Sequence, residues 1–236
     1  MNTNVNLEAA LGVLGFLGAG LVLLVAVAVA LFALITGRRK LAGVSALAAA
    51  GLGGLYLLLM LTFSLASGEK VLARGAEKHF CETDCHLAYS VTDVKRAKTL
   101  GDGPHPAAAK GVFEVITLKT RFDEKTISSA RGNSPLTPNS RVATILDEQG
   151  RTYTPSPEGQ RALGQAGAGT PLTTSLNPGE SYTTTLVFDL PEDVKNPVLL
   201  LNEGEWVTHL IIGHENSPLH KKTMFGLGPA ETQASR

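Results

Sequence analysis

The stretch AALGVLGFLGAGLVLLVAVAVALFALITGRRKLAGVSALAAAGLGGLYLLLMLTFSLAS, residues 9–67, decides the fold. It contains two apolar runs, Ala9 to Thr36 and Leu41 to Ser67, that hold no Asp, Glu, Lys or Arg. Each run exceeds the roughly 20 residues that a helix needs to cross a bilayer core. The sequence therefore predicts a two-helix transmembrane hairpin in residues 1–67, with helices at about 9–36 and 41–67.

Basic residues give mixed evidence on the orientation of this hairpin. Arg38, Arg39 and Lys40 lie between the two runs and favour a cytoplasmic loop, whereas Lys70, Arg74 and Lys78 follow the second run and oppose that bias. Long domains cross membranes largely regardless of their charge. A β-rich domain preceded by a close cysteine pair also suits an oxidising compartment. We expect both termini outside the cytoplasm.

Small residues repeat along the second helix. Ala42, Ala46, Ala50 and Gly54 are spaced four apart, a pattern that allows close helix packing in lipid. Two interpretations stay open: the stripe seals the hairpin onto itself, or it docks another membrane protein. Neither apolar run contains a charged residue or a histidine, which argues against an ion path, a proton relay or an intramembrane haem ligand.

Beyond a linker at residues 68–88, hydrophobicity alternates with a period of two. Gly, Pro, Asn and Asp separate short segments rich in Val, Ile, Thr, Tyr and Phe, which predicts an antiparallel β-sandwich over residues 89–227 and a tail at 228–236. Gln160 to Thr174 is predicted to be a mobile loop. The expected strands are Tyr89–Val94, Gly111–Phe122, Arg141–Leu146, Thr152–Thr154, Ser181–Asp189, Val198–Leu201 and Trp206–Ile212.

Three segments of this domain carry a family resemblance. They are 146-LDEQGRTY-153, 176-LNPGE-180 and 187-VFDLP-191. Together they resemble a family of bacterial extracytoplasmic immunoglobulin-like domains of unknown function, found in lipoproteins and membrane-tethered proteins. The likeness covers about Tyr89 to Leu227. It implies an immunoglobulin-like β-sandwich and a location on the periplasmic side of the bacterial inner (cytoplasmic) membrane. It supplies no catalytic residue, and fold alone does not give function.

Cys81, Cys85 and His86 form the sharpest chemical motif in the chain, CETDCH. One interpretation is a local Cys81–Cys85 disulfide, as expected for two cysteines in an oxidising compartment. A second is covalent haem c, although the usual spacing has two residues between the cysteines rather than three. A third is copper or zinc held by both thiolates and His86, with His79 as a further ligand; the motif resembles the binuclear copper loop of oxidase subunit two, apart from the position of its histidine.

The remaining polar residues predict little chemistry. His209 is expected on a strand face, and His214, His220, Lys221 and Lys222 on a solvated surface or against anionic headgroups. The formal net charge is +0, which gives no electrostatic case for nucleic-acid binding.

The combined features predict a non-catalytic accessory or scaffold subunit. Its hairpin would dock to an integral membrane complex, photosynthetic or respiratory, within the lipid bilayer. The alternative is a periplasmic electron-transfer or metal-handling protein that uses Cys81, Cys85 and His86.

Overall fold

Two long helices open the computed structural model, which describes residues 2–81, 85–101, 106–128 and 130–228. α1 spans Ala9–Ile35 and α2 spans Arg39–Leu65, so both predicted helices are present with ends shifted by at most two residues. Both are long and apolar enough to cross a membrane, and only 6% of each apolar window is buried within the chain itself. Arg39 and Lys40 form the first turn of α2 rather than part of the loop.

In the described ranges, ten strands form two five-stranded sheets. Sheet one has the order β1-β3-β4-β5-β8 and sheet two the order β2-β10-β9-β6-β7. The predicted β-sandwich is therefore present. The strands are β1 Asn2–Thr3, β2 Lys70–Leu72, β3 Lys78–Phe80, β4 Leu87–Leu100, β5 Ala107–Phe122, β6 Arg141–Leu146, β7 Thr152–Tyr153, β8 Ser181–Leu190, β9 Val198–Glu203 and β10 Thr223–Gly226.

The core lies between the two sheets and follows the alternation seen in the sequence. Alternate residues of β5 and β9 point inward, including Ile116, Leu118, Leu199 and Leu201, none of which is exposed to solvent. β4 and β5 pair antiparallel over most of their length, as do β5 and β8. Gly111 lies beside the end of β8, and a side chain there would overlap the Leu190 carbonyl.

Both sheets are mixed, because one edge strand of each pairs in parallel. β1 runs parallel to β3, and β2 runs parallel to β10. β1 immediately precedes the helical hairpin and β2 immediately follows it. The purely antiparallel arrangement predicted for the sandwich is therefore wrong at these two edges, because the chain segments flanking the helices enter the sheets there.

The predicted linker at residues 68–88 is wrong. β2 and β3 both lie in it, and the start of β4 follows, so this segment belongs to the sandwich. Lys78, His79 and Phe80 are all buried. Alternation could not reveal β3 because its polar side chains point inward to buried partners rather than outward to water.

Two further predictions fail between β7 and β10. Gln160 to Thr174 is not simply a loop, since α3 spans Pro157–Ala168 with Ser156 as its N-cap, whose Oγ accepts a hydrogen bond from the Gly159 amide. Gly164 breaks its helical conformation, with φ at +63°, which explains the weak periodicity. Trp206–Ile212 is not a strand: Trp206–Leu210 forms a 3-10 helix.

Candidate functional site at the junction of helices and sandwich

Asn4 ties the segment before α1 into the sandwich. It is 1% exposed, and its backbone amide donates to the His79 carbonyl at 3.1 Å. Its side-chain Nδ2 donates to Glu203 Oε1 at 3.0 Å, and its Oδ1 accepts from the Cys81 amide at 2.8 Å. One asparagine therefore links β3, β9 and the cysteine loop. Since β1 also joins sheet one, the start of α1 is held at this end of the sandwich.

Four contacts join the two helices and the segments that flank them to one another and to the sandwich loops. Asn6 Nδ2 donates to the Phe63 carbonyl at 2.8 Å, and Tyr56 Oη donates to the Leu210 carbonyl at 2.6 Å. The Lys221 amide donates to Ser67 Oγ at 2.8 Å. Gly12 of α1 lies so close to the segment 211–212 that an added Cβ would be 2.9 Å from the Ile212 carbonyl oxygen. The helices and the sandwich therefore share a packed junction.

A buried ion pair lies behind this junction. Lys78 is 0% exposed, and its Nζ is 2.6 Å from Glu215 Oε1. Nζ also donates to the carbonyl oxygens of Leu201 at 2.9 Å and Thr223 at 3.0 Å. Burial lowers the pKa of Lys78, and the Glu215 carboxylate opposes that shift. Three acceptors thus satisfy all three ammonium protons, as a buried charge requires.

A second buried carboxylate, Glu203, is bound by His214 as well as Asn4. His214 Nε2 lies 3.2 Å from Glu203 Oε2, and its Nδ1 accepts from the Asn216 amide at 3.0 Å. Because Nδ1 accepts, the proton is on Nε2, which donates to Glu203. The Arg141 side chain, 0% exposed, lies 4.0 Å from Glu203 and 4.3 Å above the Phe80 ring. The predicted solvated position of His214 is wrong, and His220 is buried too.

The structure joins Cys81 and Cys85 in a disulfide with a Cα–Cα distance of 4.0 Å. Phe80 pairs with Leu87, so the bond closes the base of the β3–β4 connection. Residues 82–84 lie outside the described part of the chain. This bond leaves neither sulfur for a thioether to haem or for copper. It has a structural role here, restricting the loop beside Asn4.

His86 and His79 contact a neighbouring turn rather than the sulfurs. The His86 ring stacks on Phe122 with centroids 5.6 Å apart, and its Nδ1 contacts Thr126 Oγ1. His79 Nε2 is 3.4 Å from Asp123 Oδ2. Within the ranges that the structure describes, no group of three or more His, Cys, Asp or Glu side chains is placed to hold a metal.

Asp123 organises that turn through charge. Arg121 Nη1 is 3.1 Å from Asp123 Oδ1, and Arg121 also forms two hydrogen bonds to Glu77. The hydrogen bond from Arg121 lowers the pKa of Asp123 to about 2, helped by the Lys125 amide and His79. The hydrogen bonds of Arg121 to Glu77 and Asp123 raise the pKa of its guanidinium group. This cluster fastens the end of β5 to the segment before β3.

The predicted stripe of small residues divides between two faces of α2. Ala42 is buried, whereas Ala46, Ala50 and Gly54 are exposed, and nothing lies within 4 Å of a Cβ placed at Gly54. A spacing of four advances 40° per step around a helix with 3.6 residues per turn, so the stripe drifts off the contact face. The less exposed face of α2 follows 42, 45, 49, 53, 56 and 60 instead.

The junction residues that sequence reasoning missed are mostly polar and buried. Asn4, Lys78, Arg141 and Glu203 carry no motif spacing, because their partners come from distant parts of the chain. Lys78 and Glu215, for example, are 137 residues apart. The only indication in the sequence is the polar Lys78–His79 pair next to the cysteine loop. The arrangement satisfies buried charges and fixes the two helix ends, a positioning role.

Comparisons with known proteins place the sandwich in a family. The model of a domain of unknown function, DUF4352, matches residues 83–209, more than half of the chain. No curated protein matches the sequence significantly.

Three solved structures are similar in part. A secreted protein of Mycobacterium tuberculosis, MPT63, is 13% identical with a TM-score of 0.41 over 68% of this chain and 99% of its own. The yjhA protein of Bacillus subtilis is 13% identical with a TM-score of 0.41 over 68% and 100%. An uncharacterized β-sandwich protein of Clostridium difficile is 10% identical with a TM-score of 0.38 over 69% and 96%. By the match over residues 83–209, the chain belongs to the DUF4352 family.

Proposed function

We propose that this protein is a non-catalytic, membrane-anchored accessory or scaffold subunit. Its hairpin would dock in the bilayer against a larger bioenergetic complex, photosynthetic or respiratory, and its β-sandwich would brace the soluble face of that complex in the periplasm. The observation that carries the proposal is an open face of small residues on α2, beside a junction that holds the helices firmly to the sandwich.

The open face supports docking rather than self-packing. Ala46, Ala50 and Gly54 are exposed, and nothing lies within 4 Å of a Cβ placed at Gly43, Gly51 or Gly54. In lipid no hydrophobic force drives helices together, so a close approach between backbones is what small residues contribute to association. A helix needed only as an anchor would gain nothing from such a face.

The junction supports a bracing role. β1 ends at Thr3 and α1 begins at Ala9, while α2 ends at Leu65 and β2 begins at Lys70. Linkers this short leave little freedom between helices and sheets. A partner bound to the helices would therefore find the sandwich in a defined position above the membrane surface.

The proposed orientation places the sandwich outside the cytoplasm. Both ends of the hairpin enter the sandwich through β1 and β2, so they must lie on one side of any membrane that the helices cross. Arg38, Arg39 and Lys40 then lie on the opposite side, where the positive-inside tendency favours the cytoplasm. The Cys81–Cys85 disulfide agrees with an oxidising location for the sandwich.

A matched pair of variants tests the docking face. Ala50→Leu adds bulk to the proposed face, and Ala48→Leu adds the same bulk to an exposed position 160° away around the helix. After mild detergent extraction from native membranes, mass spectrometry would identify co-purifying integral proteins. We expect Ala50→Leu to lose them at least tenfold and Ala48→Leu to retain them. A wild-type protein that purifies alone would refute the proposal.

Orientation is tested separately with single added cysteines. Arg38→Cys reports the hairpin loop and Ser134→Cys an exposed sandwich loop. A membrane-impermeant maleimide applied to intact spheroplasts should label Ser134→Cys only. Labelling of Arg38→Cys under the same conditions would contradict the periplasmic placement.

A further inference from the structure

The exposed apolar side chains of the sandwich gather at its helix-proximal end. Among its described residues, the large hydrophobic side chains that are exposed are those of Val71, Val142, Trp206, Leu210 and Leu219. Val71 and Leu219 lie close in sequence to Ser67 and Lys221, which are hydrogen-bonded to each other. Val142 lies next to Gly204, and Gly204 precedes Trp206 by two residues. Trp206 is 73% exposed. Such clustering marks an interaction surface rather than scattered exposure.

The segment Trp206–Ile212, which we term the membrane turn, contacts both helices at a definable height. Its Leu210 carbonyl accepts from Tyr56, nine residues before the end of α2, and its Ile212 carbonyl lies against Gly12, three residues after the start of α1. With a rise of 1.5 Å per residue, Tyr56 is about 14 Å below the end of α2. The turn therefore reaches down beside the apolar helices.

The height of the membrane turn coincides with the expected edge of the hydrocarbon. A core of about 30 Å takes about 20 helical residues. Counted from Leu41, beside the basic loop, 20 residues end at Met60, one turn beyond Tyr56. On α1, 20 residues counted back from Thr36 end at Leu17. Gly12 is five residues further towards the N-terminus, so it lies about 8 Å outside the core. By the same count Tyr56 lies about 6 Å inside the core. Leu210, whose carbonyl accepts from the Tyr56 hydroxyl, then lies just below the boundary, and Ile212 lies at headgroup height.

The chemistry of the turn suits that boundary. Tryptophan and tyrosine concentrate at membrane interfaces, where an apolar ring and a polar group are both accommodated. Backbone groups entering this layer need partners. The Leu210 carbonyl has Tyr56, and the Ile211 carbonyl accepts from Ser217 Oγ at 2.5 Å. Exposed Lys221, bonded through its amide to Ser67, stands at headgroup height.

We propose that the membrane turn inserts into the interfacial layer of the bilayer, the glycerol and upper acyl region of phospholipids. The sandwich would thus bind the membrane itself, in addition to the hairpin. The proposal rests on the membrane-spanning hairpin proposed above. Insertion of the membrane turn fixes the height of the sandwich above the bilayer. Because the turn also contacts α1 and α2, its insertion limits tilting of the domain.

Trp206 allows a direct test, because it is the only tryptophan in the chain. The full-length protein is reconstituted into vesicles of phosphatidylcholine and phosphatidylglycerol that carry brominated acyl chains, with bromine either near the glycerol or near the bilayer centre. We expect the emission of Trp206 to be blue-shifted. We also expect bromine near the glycerol to quench this emission at least about twofold more strongly than bromine near the bilayer centre. Free access of aqueous iodide with no quenching by either lipid would overturn the proposal.

Two glycine variants provide the matched comparison. Gly12→Leu would push the turn away from α1, because even a Cβ meets the Ile212 carbonyl there, whereas Gly15→Leu meets nothing within 4 Å. We expect shallow-label quenching to fall at least twofold in Gly12→Leu and to stay unchanged in Gly15→Leu. Equal quenching in the two variants would show that the turn is not positioned by α1 and would count against the proposal.

Failure of this inference can be told apart from failure of the anchor. Protein that alkaline carbonate extracts from the vesicles has no inserted hairpin, and the proposed membrane anchoring then falls as well. Protein that resists extraction, yet leaves Trp206 open to iodide, keeps the anchor and refutes only the turn. Trp206 shielded in native membranes but not in vesicles would assign the surface to a protein partner and refute lipid binding.

Discussion

Removal of one partner from the Lys78–Glu215 ion pair is the sharpest test of the junction. In Lys78→Met, the aliphatic stem is retained but three hydrogen-bond acceptors lose their donor. Glu215, 1% exposed, then keeps a carboxylate in a site that water does not reach. Breaking a buried pair in this way costs about 3–5 kcal/mol. For a domain of this size, the loss corresponds to a fall in Tm of roughly 6–20 °C.

The assay is thermal unfolding of the full-length protein in detergent micelles, followed through the amide I band of β-sheet. Lys95→Met serves as the control, because the Lys95 side chain is 75% exposed and its pair with Asp93 lies at the surface. Its expected effect is below about 0.5 kcal/mol. The double variant Lys78→Met/Glu215→Leu removes both charges and should recover at least half of the loss. The reasoning would be refuted if Lys78→Met lost no more stability than Lys95→Met, or if the double variant were no more stable than Lys78→Met.

Two further predictions concern the segments on either side of the junction. Because Arg121 lowers the pKa of Asp123 to about 2, below its ordinary value, this carboxylate stabilises the fold above about pH 4, and the stabilisation is lost as pH falls towards 2. Asp123→Asn should therefore cost about 1.5–3 kcal/mol at pH 7, shrinking towards zero near pH 2 in calorimetry at both values; a pH-independent difference would contradict the charge argument. Replacing Cys81 and Cys85 together by Ala should cost about 2 kcal/mol, and intact mass should rise by two hydrogens when the wild type is reduced; an unchanged mass would exclude the disulfide.

The parts of the fold that the sequence predicts well are those governed by local composition. A charge-free run of more than 20 residues has few structural options, so α1 and α2 are apparent from the residue types alone. The second half of β5 alternates because one face of the strand packs into the core. The turn at Asp147 is likewise local: its Oδ1 accepts from the Gln149 and Arg151 amides.

The parts that could not be predicted depend on distant partners. β1 and β3 are two and three residues long, too short for a period, and β3 is polar because its side chains meet Glu215 and Asp123. Trp206–Ile212 has the apolar character of a strand, yet it lies on the helices rather than in a sheet. Leu210 and Ile212 contact Tyr56 and Gly12 of the helices, and a period count cannot distinguish such contacts from packing within a sheet.

The two parallel edge strands explain why buried charge collects where it does. β1 and β2 occupy the edges of different sheets, so the chain entering the hairpin is fixed to sheet one and the chain leaving it to sheet two. Short two- and three-residue strands contribute few ladder bonds. Asn4, bonded to Glu203, secures β1, while Lys78, bonded to Glu215 and to the Thr223 carbonyl beside β2, secures β2.

Apolar contacts could hold these strands equally strongly, but they would tolerate a shift in register. Saturated buried hydrogen bonds do not, because each displaced donor would be left without an acceptor. These buried polar contacts therefore fix the height and rotation of the helices relative to the sandwich, as the bracing role proposed above requires.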